Sequence, residues 1–173
     1  MQKYSILLFL IGSLTMAVIV TMQGESLKTK DTPLGVLNLE LAFNSNNTAT
    51  VLNAWAPNAS VDNIAVAKKN TGLDFIFLFF YPIFLFLASK VISRSFGGWF
   101  RKAGKLIAKG ALLAGLLDIV ENVGMLLTLS GKGSGAIALC TSVCSSIKWA
   151  LALLAVLYVI TGGVGLLRAK FTK

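Results

Sequence analysis

The chain has 173 residues, 55% of them hydrophobic and 13% charged, with a mean hydropathy of +0.77. A soluble domain carries about 25% charged residues, so this composition excludes an ordinary water-soluble globule and points to a membrane protein. The net charge of +9 does not indicate nucleic acid, because the basic residues flank apolar runs and form no patch interleaved with exposed aromatics. There is no histidine, which removes the commonest near-neutral proton shuttle and metal ligand.

The first element, Ser5 to Met22, is uncharged and follows Lys3. It is long for the apolar part of a signal peptide and no A-x-A site follows, so it reads as an uncleaved first span. Residues 23–72 form a polar segment with four acids and four lysines. Within it, Leu37, Leu39, Leu41 and Phe43 alternate with Asn38, Glu40, Ala42 and Asn44. That period of two predicts a strand or an extended piece lying on the bundle. Thr48 is expected to cap a short helix reaching Trp55 and stopped by Pro57. Trp55 suits either an interfacial anchor or the small core of this segment.

The second span, 73–92, is rich in phenylalanine and contains Pro82, which predicts a kink. Tyr81 beside it can carry a hydroxyl into the interior, and Asp74 sits at the outer end, where a carboxylate favours a helix N-terminus. A basic connector follows over 90–109, with Lys90, Arg94, Arg101, Lys102, Lys105 and Lys109 around a Gly97-Gly98-Trp99-Phe100 turn. The third span, 106–129, and the fourth, 136–167, are joined by a glycine-rich turn. The fold class read from this order is an all-α integral membrane protein. It is one domain over 1–173, an antiparallel four-helix transmembrane bundle with an extracytoplasmic loop domain between helices 1 and 2.

With both termini inside, the inner side collects Lys3, the six connector residues, Arg168, Lys170 and Lys173, and no acid. The positive-inside rule then makes 90–109 cytoplasmic and 23–72 extracytoplasmic. Abundant Lys and Asn suggest a bacterial inner (cytoplasmic) membrane.

Inside the third span sit Asp118, Glu121 and Asn122, at i, i+3 and i+4 on one helix face. Lys148 lies as far after Gly133 as Asp118 lies before it, so both fall roughly 20 Å from the turn on neighbouring helices. This predicts an ion pair of Lys148 with Asp118 or Glu121, with Asn122 hydrogen-bonded nearby and Tyr81 adjoining. One lysine does not neutralise two carboxylates, so one carboxyl is expected to be protonated or to contact something else. Such a cluster serves equally as polar glue between helices or as a working site.

On the fourth span, Ala138, Ser142, Ser146 and Ala150 recur every four residues and are expected to form a close-packing stripe, on the face away from Lys148. Cys140 and Cys144 could offer thiolates to a soft metal, but read better as small packed side chains. No catalytic motif, cofactor site or metal site is identified. The leading functional reading is an accessory or interaction subunit of a membrane complex, with the lipid bilayer and another membrane protein or a second copy as partners and no nucleic acid. The alternatives are a proton-coupled or ligand-binding transporter component, and a lipid-modifying enzyme using Glu121 or Asp118 as acid or base.

Overall fold

The computed structural model describes residues 2–56 and 62–171; Pro57 and Lys173 lie outside them. The described residues are helical, with no strand. Four helices are long and apolar enough to cross a membrane. They are α1 (Gln2–Gln23), α4 (Asn63–Ser95), α5 (Gly98–Leu127) and α6 (Gly135–Phe171), with two shorter helices, α2 (Leu37–Glu40) and α3 (Ser45–Ala54), between α1 and α4. α4 and α5 begin about ten residues before the apolar stretches that announced them.

Local chemistry sets the ends. The Asp62 carboxylate accepts from the Ala65 amide and starts α4, so that Asp74 lies well inside the helix and not near its N-terminus as expected. Asn44, not Thr48, caps α3 by accepting from the Asn47 amide. The α4–α5 turn is tighter than expected. Gly98 already opens α5 with φ +59°, and Trp99 and Phe100 belong to the helix's first turn. A wide turn over Thr128–Lys132 links α5 to α6 through Gly131 at φ +78°.

The helices do not close symmetrically. α5 packs against both α4 and α6, and α4 also meets α6, whereas α1 is docked mainly on α4. Along the α1–α4 seam, Phe9 meets Phe79 and Phe80, Asn70 Nδ2 donates to the Val20 carbonyl, and Gln23 Nε2 donates to the Val66 carbonyl. α4 remains α-helical through Pro82, whose ring packs at Gly115.

Two apolar clusters result. The central one gathers Tyr81, Leu85, Ala111 and Ala155. The other lies under the 24–56 segment and gathers Leu27, Leu39, Val51, Trp55, Met125 and Leu129. Trp55 is 0% exposed, and its indole N–H reaches the Leu27 carbonyl at 3.0 Å and Thr32 Oγ1 at 3.1 Å. It is the core of this cap and not an interfacial anchor.

The alternating Leu37–Phe43 stretch is not extended. It makes one helical turn, α2, then reverses at Phe43, whose φ of +60° is sparsely populated for a bulky residue. The Phe43 amide donates to Ser142 Oγ at 2.8 Å. Burial of Leu39 and Ala42 against neighbouring helices decides the conformation over the local alternation.

The buried face of α6 runs through Ala138, Thr141, Ser142, Ser145, Lys148, Ala155 and Tyr158. This corrects the expected stripe, since Ser146 and Ala150 are exposed. A four-residue stride gains about 40° per step over the 3.6-residue turn, so the stripe winds off the contact face within three steps. Ser142 and Lys148 therefore share the buried side. Cys140 is exposed and Cys144 half-buried, so the first is not packed as expected.

Close approach at the basic end depends on Gly104. A Cβ there would collide with the Tyr158 hydroxyl and lie 2.7 Å from Ser93 Cβ. Gly104→Val should lower stability by roughly 1–3 kcal/mol through overpacking. Gly163→Ala, where a Cβ meets nothing within 4 Å, should instead stabilise. Thermal melts of the two variants in detergent check the opposite signs.

Candidate functional site

The site is built around Lys148, in the first half of α6 and 7% exposed. Its Nζ is 2.8 Å from both Glu121 oxygens, donating to Oε1, while Oε2 has charge contact but no aligned hydrogen bond. Nζ also donates to Asp118 Oδ1 at 3.2 Å and lies 3.5 Å from Glu40 Oε2. Asp118 Oδ2 accepts the Tyr81 hydroxyl at 2.7 Å, and Asn122 Nδ2 donates to Asp74 Oδ2 at 2.7 Å. The structure thus brings together Asp118, Glu121, Lys148 and Tyr81, and joins Asn122 to the group through Asp74.

Three members were not singled out from sequence. Glu40 is 7% exposed, and its Oε2 accepts from Ser145 Oγ and Trp149 Nε1, each at 3.1 Å. It descends from α2, so the 24–56 segment dips among the long helices instead of only covering them. Its one sequence signal is an acid flanked by Leu39 and Leu41. Asp74 was placed at a helix end, but its spacing of seven from Tyr81 is two helical turns and puts both on one face. Trp149 adjoins Lys148 in the chain.

Four carboxyl groups thus gather around one ammonium. Lys148 contacts three of them, and Asp74 has no basic side chain within ion-pair distance among the described residues. Buried charge at this density requires protons or a cation to offset it. Among the described residues, no three His, Cys, Asp or Glu are grouped as metal ligands.

A cavity of about 550 Å³ passes this cluster, and on the side of the 24–56 segment its wall also carries Thr21, Lys28, Asn70 and Thr71. Its polar end carries Glu40, Asp74, Asp118, Asn122 and Lys148. Toward the basic end the walls are apolar apart from Ser13, with Leu10, Leu14 and Ala17 from α1 facing Ala152, Leu153 and Val156 from α6. Phe77, Phe84 and Leu85 of α4 form the back. Leu14 and Leu153 are 60% and 55% exposed, so the cavity opens sideways between α1 and α6.

Tyr81→Phe would remove the donor to Asp118 and nothing else. The expected loss is about 1.5–3 kcal/mol, the range for a hydrogen bond to a charged group. A denaturant titration in detergent against wild type measures it.

Fold and site together define an all-helical protein with four membrane-length helices around a buried lysine–carboxyl cluster. No family model, curated protein or solved structure matches the chain.

Proposed function

We propose that this is a membrane-embedded binding protein whose lysine–carboxyl cluster is the polar end of a ligand site. The long helices form an antiparallel bundle, with residues 24–56 as an extracytoplasmic cap and the basic end, Lys90 to Lys109 and the tail, in the cytoplasm. The composition suits a bacterial inner membrane.

One observation carries the reading: a cavity of about 550 Å³ runs from the cluster to the flank of the bundle. Its volume falls within the roughly 300–1,000 Å³ of small-molecule sites, and a few convergent polar groups among apolar walls are their usual lining. Helix glue needs no such space. Ionisable groups at this depth line ligand and ion paths when a cavity reaches them. The accessory-subunit reading retains one observation in its favour: Lys148 ties α2, α5 and α6 together, as a purely structural cluster would.

Native mass spectrometry of the protein extracted in mild detergent separates the two. A binding protein should retain a discrete small adduct that Ala152→Phe, which fills the cavity one helical turn from Lys148, removes while the variant still unfolds cooperatively. If wild type and Ala152→Phe carry the same adducts or none, the accessory-subunit reading stands instead.

A further inference from the structure

We propose that the ligand is a single-chain amphiphile with a cationic, hydrogen-bond-donating head, taken laterally from the membrane through the gap between α1 and α6. This rests on the binding reading above and adds the ligand's class, its orientation and its portal.

The head follows from the balance of donors and acceptors. The cluster offers four carboxyl groups. Its own donors are committed: Lys148 to Asp118 and Glu121, Tyr81 to Asp118, Asn122 to Asp74, and Ser145 and Trp149 to Glu40. Acceptors and negative charge are in surplus. The surplus is concentrated at Asp74, which lines the cavity and contacts no cation, and at Glu40, whose distance to Lys148 Nζ, 3.5 Å, is the longest of the three. A primary ammonium brings three N–H donors and one positive charge to those two carboxylates. A fatty-acid head would bring a further anion and more acceptors, and phosphate would do so twice over.

The tail follows from the walls. From Asp74 the cavity extends toward the basic end along Leu14, Leu10, Leu153 and Val156, with Phe84 behind. Apart from Ser13, whose hydroxyl already donates to the Phe9 carbonyl, this strip carries no hydrogen-bonding side chain. The lateral opening lets a chain enter from lipid without its head leaving the polar end for long. The volume accommodates one acyl-length chain and not the two of a phospholipid. With the cap outside the cytoplasm, the head lies in the outer half of the bilayer and the tail points to its centre, which is how an outer-leaflet amphiphile already lies.

Trp149 is a built-in reporter, because it lines the cavity and bonds to Glu40. The test uses full-length Trp99→Phe protein in nanodiscs of a neutral phospholipid. Three bromine-labelled probes of one chain length are titrated: a primary alkylamine, the matching fatty alcohol and the matching fatty acid. The expected result is saturable quenching of Trp149 by the amine alone. Asp74→Asn should weaken it about tenfold or more, the loss of one charge-assisted bond. Leu14→Phe, at an exposed wall position that adds no emitting side chain, should weaken the same quenching while the melting temperature holds, which covers the case of Asp74→Asn failing to fold. Saturable quenching by the acid or alcohol equal to the amine's overturns the cationic assignment and leaves a ligand site in place. No saturable quenching by any probe, together with the same adducts or none on wild type and Ala152→Phe, overturns the ligand class and the binding function alike.

Discussion

Lys148→Met should destabilise the protein by about 3–5 kcal/mol, the usual cost of removing one partner from a buried ion cluster. The side chain keeps its length and packing, so the loss is electrostatic. Glu121, Asp118 and Glu40 would remain at 1%, 2% and 7% exposure without the ammonium they surround. Adding Glu121→Gln should recover part of the loss, because Glu121 has the shortest contact with Nζ and its removal eliminates one stranded carboxyl. Adding Glu25→Gln, whose carboxylate pairs with Lys28 on the surface, should recover nothing. Equilibrium unfolding of the single and double variants in one detergent gives the coupling directly. A Lys148→Met protein as stable as wild type would mean that the carboxyls are already neutral without it.

Trp55→Ala should cost about 3–5 kcal/mol as well, but locally. Trp55 holds Leu27 and Thr32 by hydrogen bonds and packs with Leu39, the residue before Glu40. Emptying that position should loosen residues 24–56 and withdraw Glu40 from Lys148, while α4, α5 and α6 keep their mutual contacts. Hydrogen exchange checks this: amides of α2 and α3 should lose protection, and those of α5 and α6 around the cluster should keep it. Uniform loss across the chain would show that the cap and the bundle unfold as one unit.

The four long helices were legible because each rests on a run of apolar residues long enough to register without knowledge of its neighbours. The meeting of Lys148 with Asp118 and Glu121 was legible for a related reason, since a short turn and a constant rise fix relative depth on adjacent helices. What stayed hidden depends on distant chain segments. Glu40 lies 105 residues from Ser145, and nothing local distinguishes an acid destined for the interior from one destined for water. The same tertiary burial turned Leu37–Phe43 from an apparent strand into a helical turn. The α6 stripe misled for a geometric reason: regular spacing by four looks like a face over two turns and ceases to be one over four. The cavity had no sequence signal, since it follows from α1 leaning on α4 and leaving α6 uncovered.

The separation of Glu121 from Lys148 by 27 residues bears on how the chain enters its membrane. During synthesis α5 emerges first, carrying two carboxyls, and each acidic residue at mid-helix opposes insertion by about 2.5–3.5 kcal/mol. The lysine that offsets them is still untranslated. α5 is thus a poor candidate for release into lipid alone and a good one for waiting in the insertion machinery until α6 arrives, so that the two partition as a pre-paired hairpin. Glu40, made earlier still, completes the cluster from α2 only after that hairpin is in place.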